Sequence, residues 1–264
     1  MQQYEAYERE REAQMQAAKE KRERDRAEGA RRSREYWEKV NNIARAEQEG
    51  GIAWFMQQVR DYGDYSPVRL ERHTEHVPQY LAEAYRNEVS RRGGTLQMDT
   101  YTQRAIADTA RWLVSHTKPG LMLRGYIGVG KTTMLLSIAV LFRVVNKQNL
   151  RIVDARQLTN LAKDTPKEFE ALMKAPLLGI DDLGTEPQVV KQYGNEMSPV
   201  AELLADRYSR RAFTIITTNL THKQGENGLL VDELQEIYGD RLFDRFKEMF
   251  NTISYDAEQR SYRQ

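Results

Sequence analysis

The sequence predicts an α/β fold in which a parallel β-sheet lies between helices, and three of its features lead to this prediction. A glycine-rich segment at residues 125–133 stands between a short apolar run and an apolar helix. Further apolar runs of strand length follow it, separated by segments long enough for a helix. One of these runs ends in two adjacent carboxylates, Asp181 and Asp182. Strands that alternate with helices favour a parallel sheet, because a crossover between parallel strands usually contains a helix.

The composition is that of a polar and nearly neutral chain of 264 residues. Lys and Arg number 40 and Asp and Glu 39, so the formal net charge is +1. This balance excludes a globally basic nucleic-acid-binding protein but is compatible with local basic patches. The chain has no cysteine, which excludes disulfides, thiolate zinc sites and a cysteine nucleophile. No apolar run approaches the ~18 residues of a membrane span, and the first twenty residues are charged, so we expect a cytoplasmic protein.

The first 50 residues are distinguished by their density of charge. They contain 12 basic and 12 acidic side chains, and opposite charges recur three and four residues apart. Residues at this spacing are neighbours on a helix surface, so residues 1–50 are predicted to form a charged helical arm. The arm is either a solvated helix or a segment that docks on a partner.

Residues 51–94 are predicted to form a small helical module that binds a partner. Trp54 lies in an apolar patch of this segment, and Trp37 precedes it in the arm. Two tryptophans on so charged a background should be buried, either in the module or against another protein. Gly93–Gly94 is the predicted boundary with the main domain, residues 95–264.

The main domain begins with a phosphate-binding pattern. Residues 125–133 read Gly-Tyr-Ile-Gly-Val-Gly-Lys-Thr-Thr, which matches G-x-x-x-x-G-K-[ST] between a strand and a helix, as the pattern requires. Glycines let the backbone fold around a phosphate, and the helix N-terminus adds its positive dipole end. We expect Lys131 to reach the β- and γ-phosphates of ATP, and Thr132 to bind Mg²⁺. The predicted nucleotide-binding residues of this segment are Gly125, Gly128, Val129, Gly130, Lys131, Thr132 and Thr133.

Two more strands are expected at residues 150–154 and 177–182. The second is apolar and ends in Asp181 and Asp182, as the Walker B strand of phosphate-loop ATPases does. Asp181 is predicted to hold Mg²⁺ through water, and Asp182 to orient or deprotonate the attacking water. The position of this strand after Lys131, with one strand between, favours this interpretation over an ordinary strand end with solvated acids.

The last two strands are expected at residues 212–219 and 250–255. Asn219 ends the first of them and is a candidate for a polar group beside the γ-phosphate, although it would also suit an ordinary β-turn. Arg241 and Arg245 lie four residues apart, on one face of a predicted helix. A guanidinium can neutralise charge that develops on a γ-phosphate, often from a neighbouring subunit, and local pairing with acids is the alternative.

These motifs, in this order, resemble those of the AAA+ helicase loaders (DnaC-like and DnaI-like) and of the related IstB-like transposition helper ATPases. The resemblance covers about residues 95–264. Its most specific parts are Asp-Asp-Leu-Gly-Thr-Glu at residues 181–186 and Ser-Tyr-Arg at residues 261–263. It also includes residues 203–208, 214–220 and 238–246.

The resemblance implies a five-stranded parallel sheet without a separate C-terminal lid domain, in which the strand that ends at Asn219 lies between the phosphate-loop and Walker B strands. It also implies that Arg245 is a finger that acts across subunits and that Arg263 is a second phosphate sensor. Asp182 departs from ATPases that carry glutamate at its position, so slow turnover, stimulated by DNA or a partner, is expected. Proteins of this type assemble into an ATP-dependent ring or spiral around single-stranded DNA.

Three functions remain open from the sequence. The first is an ATP-hydrolysing protein of DNA replication that loads a hexameric replicative helicase onto single-stranded DNA. The alternative is a transposition helper that selects target DNA and stimulates a transposase; a nucleotide-dependent scaffold with little hydrolysis is a third hypothesis. The candidate DNA contacts are Lys163, Lys167, Lys174 and Lys191, followed by Arg207, Arg210 and Arg211.

Overall fold

The computed structural model describes residues 16, 19–21, 23–42, 45, 56, 68–70, 72–187, 190–192, 195–224, 229–255 and 261–262, without the side chains of 190–192 and 195–197. The chain divides into two compact units, Met1–Tyr65 and Ser66–Gln264. In the first unit, residues 23–42 form a helix, α1, as the charge pattern predicts. Trp37 is 58% exposed on α1 and packs edge-to-face on Tyr36, so it is not buried among the described residues, and its burial against another protein stays a prediction. Trp54 lies outside the described residues.

The second unit alternates helices with strands. Its helices are α2 (Val77–Arg91), α3 (Thr100–Ser115), α4 (Lys131–Leu141), α5 (Ala155–Asp164), α6 (Pro166–Met173), α7 (Pro199–Ser209) and α8 (Glu233–Met249). Its strands are β1 (Gly120–Arg124), β2 (Arg151–Asp154), β3 (Leu177–Leu183), β4 (Val190–Gln192), β5 (Asn195–Met197), β6 (Phe213–Thr218), β7 (His222–Gln224), β8 (Leu230–Asp232) and β9 (Phe250–Ser254). None of the helices in the described part of the chain has the length and hydrophobicity that crossing a bilayer requires.

Five strands form one parallel sheet in the order β2-β3-β6-β1-β9. The predicted fold class is confirmed, including the position of β6 between the phosphate-loop strand β1 and the Walker B strand β3. The remaining strands form two antiparallel hairpins, β4–β5 and β7–β8, which the sequence patterns did not indicate.

Helices cover both faces of this sheet, which explains why its strands are continuous apolar runs. Along β1, Leu121 and Leu123 belong to the core beneath α2, α3 and α4, whereas Met122 belongs to the core beneath α5 to α8. Ile215 and Ile216 of β6 are divided in the same way. Successive side chains of a strand point to opposite faces, so each strand contributes to both cores.

Helix α2 belongs to the same core as α4, and this differs from the predicted boundary at Gly93–Gly94. Leu81, Ala84 and Tyr85 are buried there, and the compact unit begins at Ser66. The glycine pair ends a helix instead of a domain. Gly93 has a φ of 78° and donates to the Ser90 carbonyl, and Gly94 donates to the Val89 carbonyl. These two bonds form a Schellman motif, which satisfies the last carbonyls of α2.

Candidate nucleotide-binding site

The phosphate loop, residues 125–130, joins the carboxyl end of β1 to α4. Gly128 and Gly130 have φ values of 85° and 94°, a region that residues with a Cβ atom rarely adopt. A Cβ at Gly130 would also lie 2.0 Å from the hydroxyl oxygen of Tyr85. The shape of the loop therefore requires both glycines, although the pattern G-x-x-x-x-G-K-[ST] specifies only Gly130 of the two.

Lys131, the first residue of α4, is buried and points back into the loop. Its ammonium donates hydrogen bonds to the carbonyls of Gly125 (2.8 Å) and Tyr126 (2.7 Å) and to Oδ1 of Asn219 (2.7 Å). Asn219 reaches Lys131 because β6 is the neighbour of β1 in the sheet. The structure thus brings together two predicted site residues that are 88 positions apart.

Thr132 and Asp181, the two predicted Mg²⁺ ligands, are also in contact. The hydroxyl of Thr132 donates to Oδ1 of Asp181 (3.0 Å), and the hydroxyl of Thr217 donates to the same oxygen (2.6 Å). Hydroxyl and carboxylate oxygens are the ligands that Mg²⁺ prefers, so this pair fits the ion. Thr217 was not among the predicted site residues, because its position beside Asp181 depends on the order of the strands.

A β-bulge gives Asp181 and Asp182 different surroundings. Pairing of β3 with β6 shifts between Ile180 and Leu183, so the two acids stand opposite Thr217 alone. Asp182 has a φ of 56°, and its N–H donates to the Thr217 hydroxyl (2.8 Å). Burial, followed by the neighbouring charge of Asp181, raises the pKa of Asp182. A raised pKa is a property of carboxylates that exchange protons during catalysis.

A buried ion pair connects the phosphate-loop strand to α8. Arg124, the last residue of β1, donates to both carboxylate oxygens of Asp232 at 2.7 Å and to the Leu220 carbonyl at 2.6 Å. Asp232 also accepts from the N–H of Leu234 and so caps α8. Burial alone would raise the pKa of Asp232, but the hydrogen bonds from Arg124 and Leu234 outweigh it and lower that pKa. No local sequence pattern indicates this pair.

Two further contacts connect distant residues to the phosphate loop and to the helix that follows it. Arg92, which directly follows α2, donates to the hydroxyl of Thr133 on α4 at 3.0 Å, so this threonine, a predicted phosphate contact, has a partner from the end of α2. Tyr262 donates its N–H to the carbonyl of Gly128 at 3.1 Å. The sequence motifs indicated neither contact, because the residues involved are far apart in the chain.

Two of the three arginines that are candidates for a contact with the γ-phosphate lie among the described residues. The guanidinium of Arg245 on α8 lies 5.2 Å from the centre of the Tyr208 ring, and Arg241 is exposed. The roles of both arginines remain predictions, and Arg263 lies outside the described residues.

One predicted DNA contact is wrong. Arg207 is fully buried and donates to the carbonyls of Ala175 (2.8 Å) and Phe213 (2.6 Å) and to the hydroxyl of Thr214 (2.8 Å). Burial lowers its pKa to about 10. The side chain therefore holds α7 against the sheet and is not accessible to DNA. The lysines at 163 and 167 are exposed on α5 and α6, and the side chain of Lys191 lies outside the described residues.

Comparisons with known proteins give likenesses of fold. No protein-family model matches the chain, and no curated protein matches it. Among solved structures, the DnaC helicase loader is 20% identical over 61% of this chain and 93% of its own, with a TM-score of 0.48. DnaI is 23% identical over 66% of this chain and 94% of its own, with a TM-score of 0.45. AMPPCP-bound DnaA from Aquifex aeolicus is 16% identical over 61% of this chain and 48% of its own, with a TM-score of 0.42.

Proposed function

We propose that this chain is an ATP-binding and ATP-hydrolysing protein of DNA replication that loads a replicative helicase onto single-stranded DNA. The observation that carries the ATPase part is the convergence of Lys131, Thr132, Asp181 and Asn219 at the carboxyl ends of β1, β3 and β6. Ligands bind at this edge in open parallel sheets, and the glycine loop and the N-terminus of α4 suit an anion.

Each of these residues has a role in the proposed reaction. Lys131 exchanges its loop carbonyls and Asn219 for oxygens of the β- and γ-phosphates. Thr132 and Asp181 provide oxygens for Mg²⁺, which when bound neutralises charge on the phosphates. Asp182 orients the attacking water and accepts its proton. Asn219 is a neighbour of Lys131, so its side chain can contact the γ-phosphate that Lys131 binds.

The sequence motifs at residues 181–186 and 261–263 support a helicase loader or the related transposition helper, and the separate unit at Met1–Tyr65 motivates the replication part of the proposal. In the proposal, this unit binds the hexameric helicase, while the ATPase units assemble into a ring or spiral on single-stranded DNA in the cytoplasm. Arg245 completes the site of the neighbouring subunit, and exposed Lys163 and Lys167 contact DNA phosphates.

ATP binding is tested by substituting the phosphate-loop lysine. Lys131→Ala should abolish binding of a fluorescent ATP analogue and ATP hydrolysis, because no other ammonium replaces it in the loop. Lys223→Ala is the matched control, since Lys223 forms an exposed ion pair with Glu236 and such pairs contribute little. Unchanged ATP affinity in Lys131→Ala would overturn the assignment of the site.

The partner is tested by binding to two candidate proteins. The 264-residue chain and a chain without residues 1–65 are each mixed with the replicative helicase and with a transposase from the same genome. We expect the 264-residue chain to retain the helicase and the shortened chain not to retain it. Retention of the transposase instead would favour the transposition helper, and retention of neither would contradict both functions.

A further inference from the structure

Ser261 and Tyr262 pack closely against the middle of the phosphate loop. The N–H of Tyr262 donates to the carbonyl of Gly128 at 3.1 Å. A Cβ atom at Gly128 would lie 2.0 Å from the hydroxyl oxygen of Ser261, so this approach requires a glycine in the loop. Gly128 therefore serves the contact with the C-terminal end as well as the shape of the loop.

The phenol of Tyr262 is held at the N-terminal end of α3. Its hydroxyl donates to Oδ2 of Asp99 at 2.6 Å and lies 3.0 Å from the hydroxyl of Thr102. The other oxygen of Asp99 accepts the N–H of Thr102 at 2.8 Å and thereby caps α3. Burial alone would raise the pKa of Asp99, but the hydrogen bonds from Tyr262 and Thr102 outweigh it and lower that pKa. Asp99 is therefore a charged acceptor, for which a phenol is a strong donor.

The bond to Gly128 restrains the peptide group between Gly128 and Val129. In a trans peptide, the carbonyl and the N–H lie in one rigid plane and point in opposite directions. A plane that is held at its carbonyl is consequently held at its N–H. Glycine at position 128 would otherwise allow this plane to rotate, because glycine restricts the backbone least. Backbone N–H groups are the groups with which such loops bind phosphate.

We propose that Tyr262 is a positioning residue for the phosphate loop, whose phenol docks on Asp99 and Thr102 and whose N–H holds Gly128 in the orientation that binds nucleotide. The proposal rests on the proposed ATP site and adds a coupling to it. Docking of Tyr262 strengthens nucleotide binding, and nucleotide strengthens the docking of Tyr262 by the same factor, because linkage between two binding events is reciprocal.

Two substitutions remove the docking bond from opposite sides. Tyr262→Phe deletes the hydroxyl, and Asp99→Asn replaces the acceptor Oδ2 with an amide nitrogen that cannot accept. Asparagine is as good an N-cap as aspartate, so Asp99→Asn keeps α3 capped through Oδ1. Tyr80→Phe is the matched control, because Tyr80 and Tyr262 are both 38% exposed and Tyr80 packs on histidines 73 and 76 instead.

The measurements are the dissociation constant of ATP, KM and kcat, and hydrogen exchange of the Tyr262 amide. Tyr262→Phe and Asp99→Asn should each raise the dissociation constant and KM on the order of 10-fold, the size expected for one hydrogen bond to a charged group, with kcat little changed. The double variant should be no weaker than either single one, because both remove the same bond. ATP should slow exchange of the Tyr262 amide in the wild type, and Tyr80→Phe should behave as the wild type does.

The outcomes separate the two proposals. If the wild type binds ATP and Tyr262→Phe binds it equally well, the coupling is overturned and the ATP site stands. A fall in melting temperature without a change in ATP affinity would assign Tyr262 a purely structural role and also overturn the coupling. If the wild type does not bind ATP, both proposals fail. The hydrogen-exchange rate of the Tyr262 amide without nucleotide still reports whether Tyr262 is docked on the phosphate loop.

Discussion

At the scale of single residues, the adjacent acids Asp181 and Asp182 of the predicted Walker B motif differ because of one threonine. The hydroxyl of Thr217 donates to Asp181 and accepts the N–H of Asp182, so it holds both at the bulge. Asp181 is left facing Thr132, as a metal ligand would be, whereas Asp182 has a left-handed backbone and a raised pKa. Adjacent residues of one type thus acquire surroundings that suit different roles.

Asp182→Asn should retain ATP binding and lose hydrolysis. Asparagine keeps the size of the side chain and its tolerance of positive φ but cannot accept a proton, so kcat should fall on the order of 10²- to 10⁴-fold. Single-turnover hydrolysis and ATP affinity measure the two effects, with the exposed Asp164→Asn as control. Helicase loading by Asp182→Asn at wild-type level would favour the scaffold hypothesis over the enzyme.

At the scale of elements, the pair Arg124–Asp232 fixes α8 to the strand that precedes the phosphate loop. Both side chains are about nine-tenths buried, and Asp232 caps α8 as well. Buried pairs of this kind contribute little relative to apolar residues, but loss of one partner leaves the other charge without compensation. The pair therefore connects β1 to α8, and substitution of either residue is expected to destabilise the fold.

Asp232→Asn should lower the free energy of unfolding at pH 7 by about 3–5 kcal/mol, because it leaves Arg124 buried without a counter-charge. The folded-state pKa of Asp232 lies below its ordinary value of 3.8. Its stabilising contribution is therefore complete above pH 3.8 and is lost as the pH falls through the folded-state pKa. Denaturant titrations of wild type and variant should consequently converge in acid.

The control for this substitution is Asp206→Asn, which breaks the more exposed pair with Arg210. It should change the unfolding free energy by no more than about 1 kcal/mol at any pH. Equal effects of the two substitutions at pH 7 would show that burial of the Arg124–Asp232 pair does not determine its contribution.

At the scale of the whole molecule, the second compact unit, Ser66–Gln264, starts before α2 instead of after it. The buried side chains of α2 include Val77, Leu81 and Tyr85, which share a core with α4. Burial of each large apolar side chain contributes roughly 1.5–3 kcal/mol. The sum over α2 is comparable with the whole stability of a typical domain, about 5–15 kcal/mol.

Deletion of residues 1–65 should therefore leave a second unit that melts cooperatively, whereas deletion of residues 1–94 should abolish cooperative melting. Circular dichroism during heating measures both. A shorter deletion, of residues 1–34, should behave like the first. Cooperative melting of the chain that begins at residue 95 would restore the boundary at Gly93–Gly94.

Arg245→Ala tests whether sites are shared between subunits. It should spare ATP binding by single subunits but lower kcat on the order of 10³-fold, because a guanidinium that acts across subunits stabilises only the transition state. Lys247→Ala on the same helix is the charge control. Mixing Arg245→Ala with Lys131→Ala should restore part of the activity, and wild-type turnover by Arg245→Ala alone would remove the arginine from the mechanism.

The sequence by itself determined the class of fold and predicted which residues form the candidate site. The glycine loop with Lys131 and Thr132 is a local motif, and the apolar run before Asp181 is a strand that needs no distant partner to be identified. Local motifs can be recognised in a sequence because their residues act together at a fixed spacing along one turn or strand. The five parallel strands and their helices were predictable for the same reason.

Only the tertiary structure decided which distant residues support that site and where the second compact unit begins. Thr217, Arg92 and Tyr262 reach the site through strand order and helix packing, and Arg207 is buried by contacts with two other segments, residues 172–175 and 213–214. Gly93–Gly94 illustrates the difference, because a glycine pair looks the same in the sequence whether it ends a helix or a domain. The packing of α2 on α4 distinguishes the two, because burial is a property of the folded chain and not of a local pattern.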